Sequence, residues 1–116
     1  MTVRRLKTYT GNTGYVYQYY FVGKRPTSGE PATEYVFDVT SDRKTTYAVS
    51  VFLPQSVPES WAAAHGRTLT DAEQYAAVKM RLFQAFDEVD DLSHHGRTLR
   101  VDAAALETAL GTLGVE

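Results

Sequence analysis

With 116 residues, no cysteine and a formal net charge of −2, the chain is long enough to bury its own core as one domain over 1–116. It has no thiol for disulfide or thiolate chemistry. Its 43% apolar and 22% charged residues are ordinary for a globular protein. No apolar run approaches the roughly 18 residues of a membrane span, and the charged opening MTVRRLKTYT lacks the apolar stretch of a signal peptide, so a cytoplasmic protein that does not enter membranes is expected.

The first half, residues 1–53, reads as strands. Val3 to Tyr9 alternates loosely, and GNTG (Gly11 to Gly14) supplies residues that tolerate positive φ, as a hairpin turn needs. Tyr15 to Gly23 follows as a long aromatic strand. GKRPTSGEPA, with its prolines and glycines, reads as a surface loop. TEYVFDVT is a third strand, SDRK (Ser41 to Lys44) a polar turn, and TTYAVSVFL a fourth strand that Pro54 ends. Such runs joined by short turns predict an antiparallel meander.

The second half, residues 54–116, changes period. Ser56 followed by Glu59 resembles a helix start, and VPESWAAA forms a short helix ending near Gly66. Thr70 with Glu73 is a capping-box pair opening a long helix from Asp71 to Val89. Asp102 caps a last helix, with Leu106, Leu110 and Leu113 on one stripe. Strands followed by helices predict an α+β fold: a four-stranded antiparallel meander carrying two or three helices on one face.

Charge is uneven between the halves. Residues 1–53 hold seven Lys/Arg against four Asp/Glu, and residues 54–116 hold five against ten. This suits two binding surfaces, a head-to-tail partner contact or ordinary composition scatter. The pentapeptide HGRTL occurs at His65–Leu69 and again at His95–Leu99. Its structural reading is a Gly that ends one element, a Leu that plugs the core and a cap that starts the next. Its functional reading is two His-Gly-Arg loops meeting one phosphate.

Strand alternation places Tyr15, Tyr17, Tyr19 and Phe21 on one face and Val16, Gln18, Tyr20 and Val22 on the other. Tyr35, Phe37 and Val39 alternate with Val36, Asp38 and Thr40. Tyr47, Val49, Val51 and Leu53 alternate with Ala48, Ser50 and Phe52. Helices cover one face, and the other leaves tyrosines, valines or Phe52 exposed, as at a partner surface. The expectation is a non-catalytic binding domain, most simply a homodimer packing sheet on sheet, using Tyr15, Tyr17, Tyr19 and Phe21 with Lys24 and Arg25 at the rim. The alternative is single-stranded nucleic acid stacked on the tyrosines, its phosphates met by Lys24, Arg25, Arg43 and Lys44. The chain lacks the β-α-β-β-α-β order of RNA-recognition modules. Buried rings in a core, tyrosine being a good strand former, are the third reading.

Catalytic signals are sparse, and the chain reads as a non-enzyme. Asp42-Arg43-Lys44, with Glu34 and Asp38 upstream, resembles the acidic-x-Lys metal site of restriction-like nucleases, but falls in a turn where that chemistry needs a strand. His94, His95, Asp90 and Asp91 could hold a metal weakly; His65 stands apart, and a connector after the helix explains the cluster as well. No G-x-S-x-G, phosphate loop or H-E-x-x-H is present, so no cofactor is implied. Lys79 is the weak catalytic candidate. On the long helix it falls within the apolar arc of Tyr75, Val78, Leu82, Phe83, Phe86 and Val89. There it must snorkel, meet a carboxylate such as Asp38, or line a pocket as a base or imine-forming amine.

Overall fold

A computed structural model of the chain describes residues 6–27, 29–88 and 97–115. The chain orders itself as β1 (Lys7–Thr10), β2 (Val16–Pro26), β3 (Ala32–Thr40), β4 (Tyr47–Pro54), α1 (Ser56–His65), α2 (Asp71–Glu88), β5 (Thr98–Arg100) and α3 (Ala103–Leu113). The fold is α+β, as the change of period predicts. The five strands lie in sequence order, with β1 to β4 antiparallel and β5 added parallel beside β4.

Strand β5 goes beyond the expected meander. It is three residues long and held by tertiary pairing: Ser50 N–H donates to the Arg97 carbonyl, and Val101 N–H to that of Phe52, both at 2.9 Å. Strand β2 also runs past its expected end at Gly23, because Lys24, Arg25 and Pro26 pair with Tyr35, Glu34 and Thr33. A bulge between Phe21 and Gly23 lets the strand continue. An extra residue in one strand shifts the alternation. Lys24 consequently lies opposite Tyr35, its ammonium 5.8 Å from that ring and 3.9 Å from Asp71 on α2.

The helix ends follow local chemistry. Glu73 N–H donates to Thr70 Oγ1 (3.1 Å) and Thr70 N–H to Glu73 Oε1 (2.9 Å), completing the capping box. Asp102 Oδ1 accepts from Ala105 N–H at 2.7 Å to start α3. Gly66 ends α1 in the left-handed region (φ 74°), donating its N–H to the Ala62 carbonyl. One residue differs: Gln55 precedes α1 as its N-cap and Ser56 is already helical.

All three helices pack on the odd-numbered face of the sheet. Tyr17, Tyr19, Tyr35, Phe37, Val39, Val49, Val51 and Leu53 share one core with Trp61, Val78, Leu82, Phe86, Leu106 and Leu110. The fit is largely ring on ring. Phe86 stacks on Tyr17 with centroids 4.3 Å apart, Phe83 stacks on Tyr9 at 4.5 Å, and Tyr75 leans on Phe21 at 4.9 Å. Leu113, expected on the α3 core stripe, is exposed. Leu69 and Leu99, the two HGRTL leucines, are both buried in the core.

Candidate functional site: the uncovered sheet face

The odd face of β2 is interior. Tyr17 and Tyr19 are 0% and 4% exposed, and Phe21 is half-buried beneath Tyr75. Of the four expected binding rings only Tyr15, at 41%, lies at the surface. The physical cause is α2, whose own arc of Tyr75, Val78, Leu82, Phe83 and Phe86 needs a large apolar partner and finds it there.

Among the described residues, no helix lies on the even face. It presents Val16, Gln18 and Tyr20 from β2, Glu34, Val36, Asp38 and Thr40 from β3, and Ala48, Ser50 and Phe52 from β4. Val16 (44%) and the bulge residue Val22 (38%) are exposed, while Tyr20, Val36 and Phe52 are half-buried between neighbouring side chains. Several of its polar groups are tied to one another. Tyr20 Oη donates to Asp38 Oδ2 at 2.7 Å, Arg25 Nε to Glu34 Oε1 at 2.8 Å, and Ser50 Oγ to Glu34 Oε2 at 2.6 Å. The Arg25 hydrogen bond, followed by that from Ser50, holds the Glu34 carboxyl below its ordinary range. Polar groups bonded in this way can be covered without being stranded.

The candidate cations separate. Lys24 leans toward α2 and Asp71, and Arg25 spends its guanidinium on Glu34. Arg43 and Lys44 sit in the β3–β4 turn, at the opposite end of β3, with Arg43 in the left-handed region at φ 64°. That turn is organised by Asp42, whose carboxylate accepts from the backbone N–H groups of Thr45 and Lys44 and from the hydroxyls of Thr45 and Thr40. The two backbone N–H donors lead in lowering its pKa to about 2. Glu34 and Asp38 lie along β3, each tied to its own partner, so Asp42 serves a turn and forms no site with them.

Lys79 lies above the rings of Tyr75 and Phe83, 5.7 and 5.8 Å from their centroids. Burial, and then the adjacent positive charge of Lys7, lower its pKa. The expected partner Asp38 is on the other side of the sheet, bonded to Tyr20. Asp90, Asp91, His94 and His95 lie outside the described residues. His65 stacks on Trp61 at 4.2 Å. The two HGRTL arginines serve different elements: Arg67 forms a two-pronged pair with Glu73 at 3.0 and 2.9 Å, whereas Arg97 Nε donates to the Ala48 carbonyl at 3.2 Å.

Compared with known protein families, curated proteins and solved structures, the chain matches none. Among the described residues, no helix is long and apolar enough to cross a membrane.

Proposed function

We propose that the chain is a non-catalytic interaction domain that works as a homodimer, pairing the helix-free faces of two sheets. The observation that carries this is the distribution of the helices. The three helices of the described residues sit on the odd face, leaving Val16, Tyr20, Val36 and Phe52 on the other beside the bonded side chains of Asp38, Glu34 and Ser50. A partly apolar sheet face of this kind is suited to a partner, and a second copy brings the same shape in a two-fold arrangement. A cytoplasmic setting accords with the cysteine-free composition.

Size-exclusion chromatography with light scattering tests the proposal. The expected mass is twice that of the chain, falling to the monomer value for Val36→Arg, which puts a charge at the middle of the face. A wild-type monomer at sub-millimolar concentration overturns it. So does a dimer that Val36→Arg leaves intact.

A further inference from the structure

A cleft of about 530 Å³ opens between α2 and α3 beside β5, away from the uncovered sheet face. Its volume lies within the roughly 300–1,000 Å³ of small-molecule sites. Met80, Ala105 and Ala109 line it with apolar surface, and Gln84 and Thr108 add polar groups.

Two residues of opposite charge, Arg81 and Asp102, line this cleft and form no ion pair with each other. Arg81 is half-buried, and its Nε donates to the Arg100 carbonyl at 3.1 Å, which fixes the plane of the guanidinium. Among the described residues no carboxylate pairs with it. The Arg100 guanidinium turns instead to Glu30, at 2.7 Å. Asp102 commits Oδ1 to capping α3 through Ala105 N–H, and none of the described residues bonds its Oδ2. An arginine fork is suited to a carboxylate, and a free carboxylate oxygen to an ammonium. A simple anion would meet Asp102 as a like charge, and a simple cation would meet Arg81 in the same way.

From this juxtaposition we propose that the α2–α3 cleft binds a small aliphatic zwitterion of the α-amino-acid class. Its carboxylate is held by Arg81, its ammonium by Asp102, and its side chain lies on Met80, Ala105 and Ala109. Nothing in this depends on the dimer.

The test is an NMR amide titration of the full chain with L-leucine, alongside 4-methylpentanoate and 3-methylbutylamine, each of which lacks one of the two charges. Leucine is expected to move the amides of Arg81, Gln84, Asp102, Ala105 and Thr108 and to saturate with a Kd on the order of 1 mM, given its few heavy atoms. The singly charged probes should bind about tenfold more weakly. Asp102→Asn keeps a helix cap yet should cost leucine about tenfold while sparing 4-methylpentanoate; Arg81→Gln should weaken both. Thr108→Trp, at an exposed position, should fill the mouth and abolish saturation in a folded chain. The proposal is overturned if leucine gives no saturable shifts, if the shifts map elsewhere, or if 4-methylpentanoate matches leucine. It is equally overturned if Thr108→Trp leaves binding unchanged.

Discussion

Phe86 is the residue on which the choice of covered face can be measured. It is fully buried, stacked on Tyr17 at 4.3 Å with planes 11° apart, and tilted against Tyr9 at 5.6 Å and Tyr19 at 5.8 Å. Phe86→Ala removes the ring from a site enclosed by other rings, which cannot collapse far. Such truncations cost about 3–5 kcal/mol, against a total stability of roughly 5–15 kcal/mol for a domain. At about 4 °C per kcal/mol for this chain length, Tm should fall by roughly 15 °C. Urea unfolding followed by circular dichroism reads the loss directly, with Val16→Ala on the open face as a control expected to change stability by less than about 0.5 kcal/mol. A double-mutant cycle of Phe86→Leu with Tyr17→Leu should return a coupling of about 0.5–1.5 kcal/mol for the stacked pair. If Phe86→Ala costs no more than Val16→Ala, the aromatic strand face is not the core and the assignment of the open face fails with it.

Three further outcomes follow from the same packing. Gly11→Ala would place a Cβ 2.2 Å from the Phe86 carbonyl oxygen, so thermal melting should show a loss of about 1–3 kcal/mol from overpacking. Tyr9 Oη donates to Asp87 Oδ2 at 2.9 Å, and Asn12 N–H to Asp87 Oδ1 at 3.1 Å; Tyr9→Phe should cost about 1 kcal/mol in a urea melt, and no loss would mean that this bond does not latch the hairpin to α2. The Arg67 hydrogen bonds, then the Thr70 N–H, lower the Glu73 pKa from 4.5 to about 2. A lowered folded-state value gives stability present above the unfolded pKa and lost as pH falls toward 2, so Tm should decline between about pH 5 and pH 2, less steeply in Glu73→Gln.

Local sequence determined much of this protein, because turns, caps and side-chain periods are short-range physics. The GNTG and SDRK turns, the Thr70–Glu73 capping box, the Asp102 cap and the change from period two to a helical period are each set by neighbours in the chain. The covered face was legible too, in a signal easily passed over. Gln18, Asp38, Thr40 and Ser50 all fall on the even face, whereas the odd positions from Tyr15 to Phe21, Tyr35 to Val39 and Tyr47 to Leu53 are apolar or aromatic throughout. Aromatic content alone points to the odd face as the binding surface, and those four polar residues mark the even face as the one left to solvent.

Other features were decided only by tertiary structure. Strand β5 has three residues and no alternation of its own, so it exists through pairing with β4. The bulge that turns Lys24 toward Asp71 depends on the register against β3. The cleft needs α3 to lie against α2, which brings Arg81 and Asp102 together from separate elements. Contacts between residues distant in the chain are fixed by the joint packing of sheet and helices, and no local pattern encodes them.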